Sequence, residues 1–81
     1  MEFKTWAIIG GGNGGQTMAA HLSLLGQKVR LYDVSQDTVD AINAKGGIKL
    51  THALTGFGKL EFASTDIARV MEGADNIIVV L

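Results

Sequence analysis

The apolar run Trp6-Ala7-Ile8-Ile9 is too short for a helix and runs straight into a cluster of glycines, which leaves the chain few ways to continue. A segment with helical periodicity follows and stops at Gly26, after which Lys28 to Tyr32 reads as extended again and ends at Asp33. The order is strand, turn, helix, strand. Within the turn Gly10, Gly12 and Gly15 stand at G-x-G-x-x-G spacing, and Asp33 closes the second strand.

That arrangement is the fingerprint of a dinucleotide site. A pyrophosphate must be met by backbone N–H groups and the positive end of a helix dipole, without bulky side chains in the way. On this reading Gly10 makes the tight turn out of the strand, Gly12 lets the backbone approach the pyrophosphate, and Gly15 lets helix and strand pack closely. Gly11 and Gly14 occupy the free positions of the pattern, and Asn13 tolerates left-handed geometry and bonds locally. A carboxylate at the end of the second strand accepts hydrogen bonds from the adenosine ribose and repels a 2′-phosphate, so Asp33 favours NAD over NADP. The alternatives are a glycine turn that is only a turn and an aspartate that only caps the next one. A Walker-type phosphate loop is excluded, because it needs Gly-Lys-Ser/Thr where this chain has Gly15-Gln16-Thr17.

With 81 residues the chain is one small domain. An apolar fraction of 47% with seven basic and eight acidic residues scattered along it predicts a soluble globular protein that binds neither nucleic acid nor membrane. Without cysteine there is no disulfide, thiolate nucleophile or thiolate metal ligand. Met1-Glu2-Phe3-Lys4 lacks the basic start of a signal peptide, so the expected compartment is the cytoplasm.

The helix after the glycines carries Met18, Leu22 and Leu25, with Ala19 beside them, as a stripe expected to lie on the sheet. Ser35 caps a helix running to about Lys45, with Val39 and Ile42 inward and Gly46-Gly47 as the stop. Alternation of Ile48 and Leu50 against Lys49 and Thr51, then of Leu60 and Phe62 against Lys59 and Glu61 around Gly56-Phe57-Gly58, predicts a hairpin-like excursion feeding a third parallel strand. Phe57 reads as a turn anchor. Thr65 is the expected N-cap of a short helix over Asp66 to Glu72, closed by Gly73, and Ile77 to Leu81 is the last strand. The fold expected is α/β, a Rossmann-type doubly wound, mostly parallel sheet of order 3-2-1-4, cut short after about four strands, with Leu81 near the middle of the dinucleotide. An uncovered apolar last strand is a template for pairing, so association into a homo-oligomer is a further expectation.

His21 and His52 have no i, i+4 partner and no neighbouring carboxylate cluster, and read as structural or exposed; no metal is expected. Asp37 and Asp40 fit helix-end electrostatics. Arg30, inside the second strand, reads as solvated or packing on a helix.

The sequence resembles the N-terminal domain of the opine dehydrogenases, the octopine/nopaline and N-(carboxyalkyl)amino-acid dehydrogenase group. The resemblance is carried by Ala7 to Leu22 with its Asn13-Gly14-Gly15 variant, by Leu25-Gly26 and Val29 to Asp33, and by Ser64 to Ile67 and Gly73 to Asp75. All but the Asn13-Gly14-Gly15 variant is shared with glycerol-3-phosphate and ketopantoate reductases. The resemblance implies that these residues bind NAD(P)H, while a separate helical domain brings the substrate pocket and a catalytic histidine. It implies an amino acid and a 2-oxo acid as substrates, condensed to an imine that the cofactor reduces. It assigns no catalytic residue within this chain. Two other readings stay open: a related reductase, and a nucleotide-sensing module without chemistry, since one fold hosts many functions.

Overall fold

The computed structural model describes residues 4–50 and 56–80. Strand β1, Thr5–Ile9, leads into helix α1, Asn13–Leu24; β2, Lys28–Tyr32, leads into α2, Gln36–Lys45. Two short strands, β3 (Gly47–Leu50) and β4 (Gly56–Lys59), precede β5 (Phe62–Ser64), α3 (Ile67–Met71) and β6 (Asn76–Val79). The four strands β5-β2-β1-β6 form one sheet, and all its pairings are parallel. With the excursion set aside, that is the expected 3-2-1-4 order.

β1 lies inside this sheet, where a strand needs apolar residues on both faces, and Ala7 and Ile8 are wholly buried. Because side chains alternate along a strand, Ile8, Val29 and Leu31 share one face. They pack there with Ala19 and Ala20 of α1 and Val39 and Ile42 of α2. Each of the larger residues, fully removed from water, contributes about 1.5–3 kcal/mol. The opposite face carries α3, anchored by buried Val70. Arg30 points to this side. Its guanidinium pairs with Glu61 at 3.1 Å, donates to the carbonyl oxygen of Glu72 just past α3, and lies 5.4 Å from the Phe62 ring centre. Of the two expectations for Arg30, packing on a helix is the one met.

Several local expectations are corrected. The face of α1 that is buried is Gly15, Ala19 and Ala20, whereas Met18 and Leu25 are 38% and 50% exposed. The hairpin β3–β4, antiparallel as its alternation predicts, explains this. It crosses α1 so closely that a β-carbon on Gly58 would stand 2.5 Å from the Ala20 α-carbon, an approach only small residues permit. Phe57 on that hairpin is 46% exposed. The chain leaves the hairpin at Leu60, whose N–H bonds the Gly46 carbonyl at 3.2 Å, so Phe62 belongs to the parallel sheet instead of the excursion. Asp66, not Thr65, caps α3: its carboxylate accepts from the N–H groups of Ala68 and Arg69. A carboxylate there satisfies two orphan donors at once and complements the helix dipole. The cap of α2 is as expected, Ser35 accepting from the Thr38 N–H, and Gly46 ends the helix with φ of 78°. Thr51, His52 and Leu81 lie outside the described residues.

The two edges of the sheet differ. At β5 the side chain of Asn43 both donates to the Ala63 carbonyl and accepts from the Ala63 N–H, each at 2.9 Å. It stands in for a missing strand. At the other edge β6 leaves Ile77 and Val79 49% and 61% exposed. No helix among the described residues is long and apolar enough to cross a membrane.

Candidate functional site

The carboxyl ends of β1 and β2 lie side by side, with Ile9 level with Tyr32. The chain leaves β1 at Gly10, whose φ of 128° is left-handed backbone that other residues avoid. A β-carbon there would run into the Val80 carbonyl oxygen, so Gly10 serves both the turn and a close crossing. Gly15, one turn into the loop–helix junction, faces the Gly10 carbonyl with no room for a side chain. Strand and helix therefore meet backbone to backbone, the packing expected of Gly15.

Gly12 is the N-cap of α1, in extended conformation and without a side-chain cap. A β-carbon on it would meet nothing within 4 Å. The first N–H groups of a helix have no acceptor in their own helix. The first bond back into the loop is from the Gln16 N–H to the Gly12 carbonyl, which leaves Asn13, Gly14 and Gly15 with N–H groups that no backbone acceptor among the described residues meets. The positive end of the α1 dipole thus opens onto clear space in front of Gly12. Asn13 and Gly14 are exposed in the first turn of α1. Asn13 is helical, so its tolerance of left-handed geometry is not drawn upon.

Asp33 follows β2 directly, its N–H bonded to the Ser64 carbonyl at 3.3 Å. One carboxylate oxygen accepts from the Ser35 N–H at 3.4 Å, so the aspartate does help form the turn into α2. It also borders the glycine loop: a β-carbon on Gly11 would stand 2.6 Å from Asp33 Cβ and 2.8 Å from Asp33 Cγ. Gly11 is therefore not a free position. Sequence spacing alone treats it as variable, because the residue that excludes its side chain arrives from the next strand.

Gln16 is a second participant not singled out by the motif. Its side-chain amide donates to the Gly11 carbonyl at 2.6 Å. The signal in sequence is only that a long amide follows the last glycine of the loop.

His21 is exposed on α1. It lines an open apolar groove with Trp6, Met18, Leu22 and Ile78 that reaches Asn13 and Gly14 in the first turn of α1. Among the described residues no group of three or more His, Asp or Glu side chains could hold a metal ion.

Comparison with known proteins agrees with this fold. The family model described as the NAD-dependent glycerol-3-phosphate dehydrogenase N-terminus matches residues 5–81. An opine dehydrogenase from Arthrobacter sp. (strain 1C) is 34% identical over 82 residues, covering 100% of this chain and 23% of its own length. The glycerol-3-phosphate dehydrogenase (NAD(P)+) of Treponema pallidum (strain Nichols) is 40% identical over 79 residues, covering 89% of this chain and 20% of its own. The same enzyme from a second strain of Treponema pallidum gives the same values. The chain thus spans between 20% and 23% of the length of these relatives.

Proposed function

The chain belongs to the NAD-dependent glycerol-3-phosphate dehydrogenase N-terminal family, and from that premise we propose that it is the cofactor-binding portion of an opine-type dehydrogenase that uses NAD in preference to NADP. One juxtaposition carries the reading. Helix N–H groups that no backbone acceptor among the described residues meets open in front of an unobstructed Gly12, while Asp33 stands against the same loop. That is a cradle for an anion next to an acceptor for hydroxyls, the two chemistries of an ADP-ribose moiety.

In this assignment the N–H groups from Gly12 to Gly15 and the α1 dipole bind the pyrophosphate, with Gly10 shaping the turn, Gly14 keeping the approach clear and Asn13 at the rim. Asp33 binds the adenosine ribose. The nicotinamide supplies hydride when bound. Residues 1–81 act as the cofactor half of a larger protein whose other part holds the substrates. There an amino acid and a 2-oxo acid lose water to form an imine, and one hydride and one proton convert it to a secondary amine.

The Asn13-Gly14-Gly15 loop and the similarity to the Arthrobacter enzyme over the whole chain support the opine reading. A second reading is reduction of dihydroxyacetone phosphate to glycerol 3-phosphate, favoured by the family model and by the 40% identity to the Treponema enzymes.

Two experiments test this. Calorimetric titration of the chain with NADH, NADPH and ADP-ribose, repeated on Asp33→Asn, is expected to give similar binding of NADH and ADP-ribose, weaker binding of NADPH and a narrower gap in the variant. Absence of binding by folded wild-type chain overturns the assignment. NADH oxidation by the full-length protein, measured with an amino acid plus a 2-oxo acid and separately with dihydroxyacetone phosphate, decides between the two reactions.

A further inference from the structure

The Gln16 side chain reaches back from the first turn of α1 to hold the Gly11 carbonyl at 2.6 Å. A trans peptide is planar, with its C=O and N–H pointing in opposite directions. Fixing the Gly11 oxygen on Gln16 therefore also fixes the Gly12 N–H, directed away from Gln16.

This restraint matters because the peptide joins two glycines, which resist rotation least. Gly11 is buried against Asp33, but Gly12 is exposed and a β-carbon on it would meet nothing within 4 Å. Packing thus holds one end of the peptide and leaves the other free to turn. A flipped peptide would present the carbonyl oxygen of Gly11, with its partial negative charge, where the N–H had been. An anion would then be repelled by the group that ought to bind it.

We propose that Gln16 is a positioning residue that locks the Gly11–Gly12 peptide with its N–H, and not its C=O, presented to the pyrophosphate. The inference rests on the dinucleotide reading above and adds a residue that the glycine motif does not contain.

Gln16→Met tests it, since methionine keeps the length of the side chain and lacks the donor. The chain and its variant are titrated by NMR with ADP-ribose and with adenosine, which has the ribose but no phosphate. The variant is expected to bind ADP-ribose about five- to tenfold more weakly, the usual effect of one hydrogen bond. Its affinity for adenosine should be unchanged, and Gln16→Glu should bind ADP-ribose more weakly still. A folded Gln16→Met chain that binds ADP-ribose as tightly as wild type overturns the inference. So does an equal loss for both ligands, which would make Gln16 a merely structural residue. A wild-type chain that binds neither ligand overturns the dinucleotide reading instead. The lock has its own readout without ligand: the Gly12 amide resonance must move in Gln16→Met, and an unmoved resonance rejects it.

Discussion

Gly11 lies so close to Asp33 that a β-carbon on the glycine would stand 2.6 Å from the β-carbon of the aspartate. The glycine loop and the acid at the end of β2 are thus in direct packing contact.

Gly11→Ala should therefore disturb both halves of the site. The new methyl group meets Asp33 Cβ and Cγ, and overpacking of this kind costs about 1–3 kcal/mol. Asp33→Ala gives no relief, because it retains the β-carbon, but Asp33→Gly does. Urea denaturation of the two single variants and of Gly11→Ala combined with Asp33→Gly should show coupling of about 1 kcal/mol or more. Additive effects would mean that the loop yields independently of β2.

The glycines of the motif separate into crowded and open positions. A methyl on Gly15 would overlap the Gly10 carbonyl oxygen, which is backbone and cannot move aside. Gly15→Ala should lose about 3 kcal/mol or more, a large share of the stability of a domain of this size. Gly12 has φ of −72° and open space around it, so Gly12→Ala should unfold within about 0.5 kcal/mol of wild type, as benign surface changes do. Its ADP-ribose affinity should nevertheless fall, since the methyl occupies the approach to the loop. Circular dichroism melts with a parallel titration check both statements.

How much of this is legible in the sequence depends on the range of the interactions involved. The glycine loop, the course of β1 and β2, the Ser35 cap and the strand order follow from local spacing and from the handedness of crossovers. The buried face of α1 does not, because Met18 and Ala19 are equally compatible with its periodicity. What selects Ala19 and Ala20 is the hairpin crossing over them at Gly58, a contact made by residues far along the chain. Gly11 escapes local reading for the same reason, through Asp33. Spacing puts Phe62 in the excursion because alternation continues across Leu60, whereas the strand pairing changes there. Gln16 escapes it because its partner is a backbone oxygen that no side-chain pattern reveals.

The amide of Asn43 protects the β5 edge, and removing it should be felt in stability. Asn43→Ala leaves the N–H and C=O of Ala63 without the two bonds that they now make at 2.9 Å. At about 0.5–1.5 kcal/mol for each hydrogen bond, the denaturation midpoint should drop by the equivalent of roughly 1–3 kcal/mol. Asn43→Asp retains an acceptor for the Ala63 N–H but sets a carboxylate against the Ala63 carbonyl, so it should not restore stability at neutral pH. An exposed strand edge is also a pairing template. Light scattering of Asn43→Ala should show more self-association than wild type at equal concentration.

The cap of α3 gives the sharpest local comparison, since two adjacent residues compete for the position. Asp66 accepts from Ala68 N–H at 3.1 Å and Arg69 N–H at 3.3 Å, while its own N–H is held by the Ser64 hydroxyl at 3.0 Å. Thr65 is exposed and its hydroxyl donates to Gln36 at 3.4 Å. Asp66→Ala should destabilise the chain by about 1 kcal/mol, the typical value of a helix cap, and Thr65→Ala by less than about 0.5 kcal/mol. The loss also reaches the second strand: Arg30 holds the backbone at the end of α3 through the Glu72 carbonyl, so fraying of this short helix removes a partner of β2. Hydrogen exchange should therefore show faster exchange at Val70 and Glu72 in Asp66→Ala and no change in Thr65→Ala. The reverse order of the two variants would return the cap to Thr65.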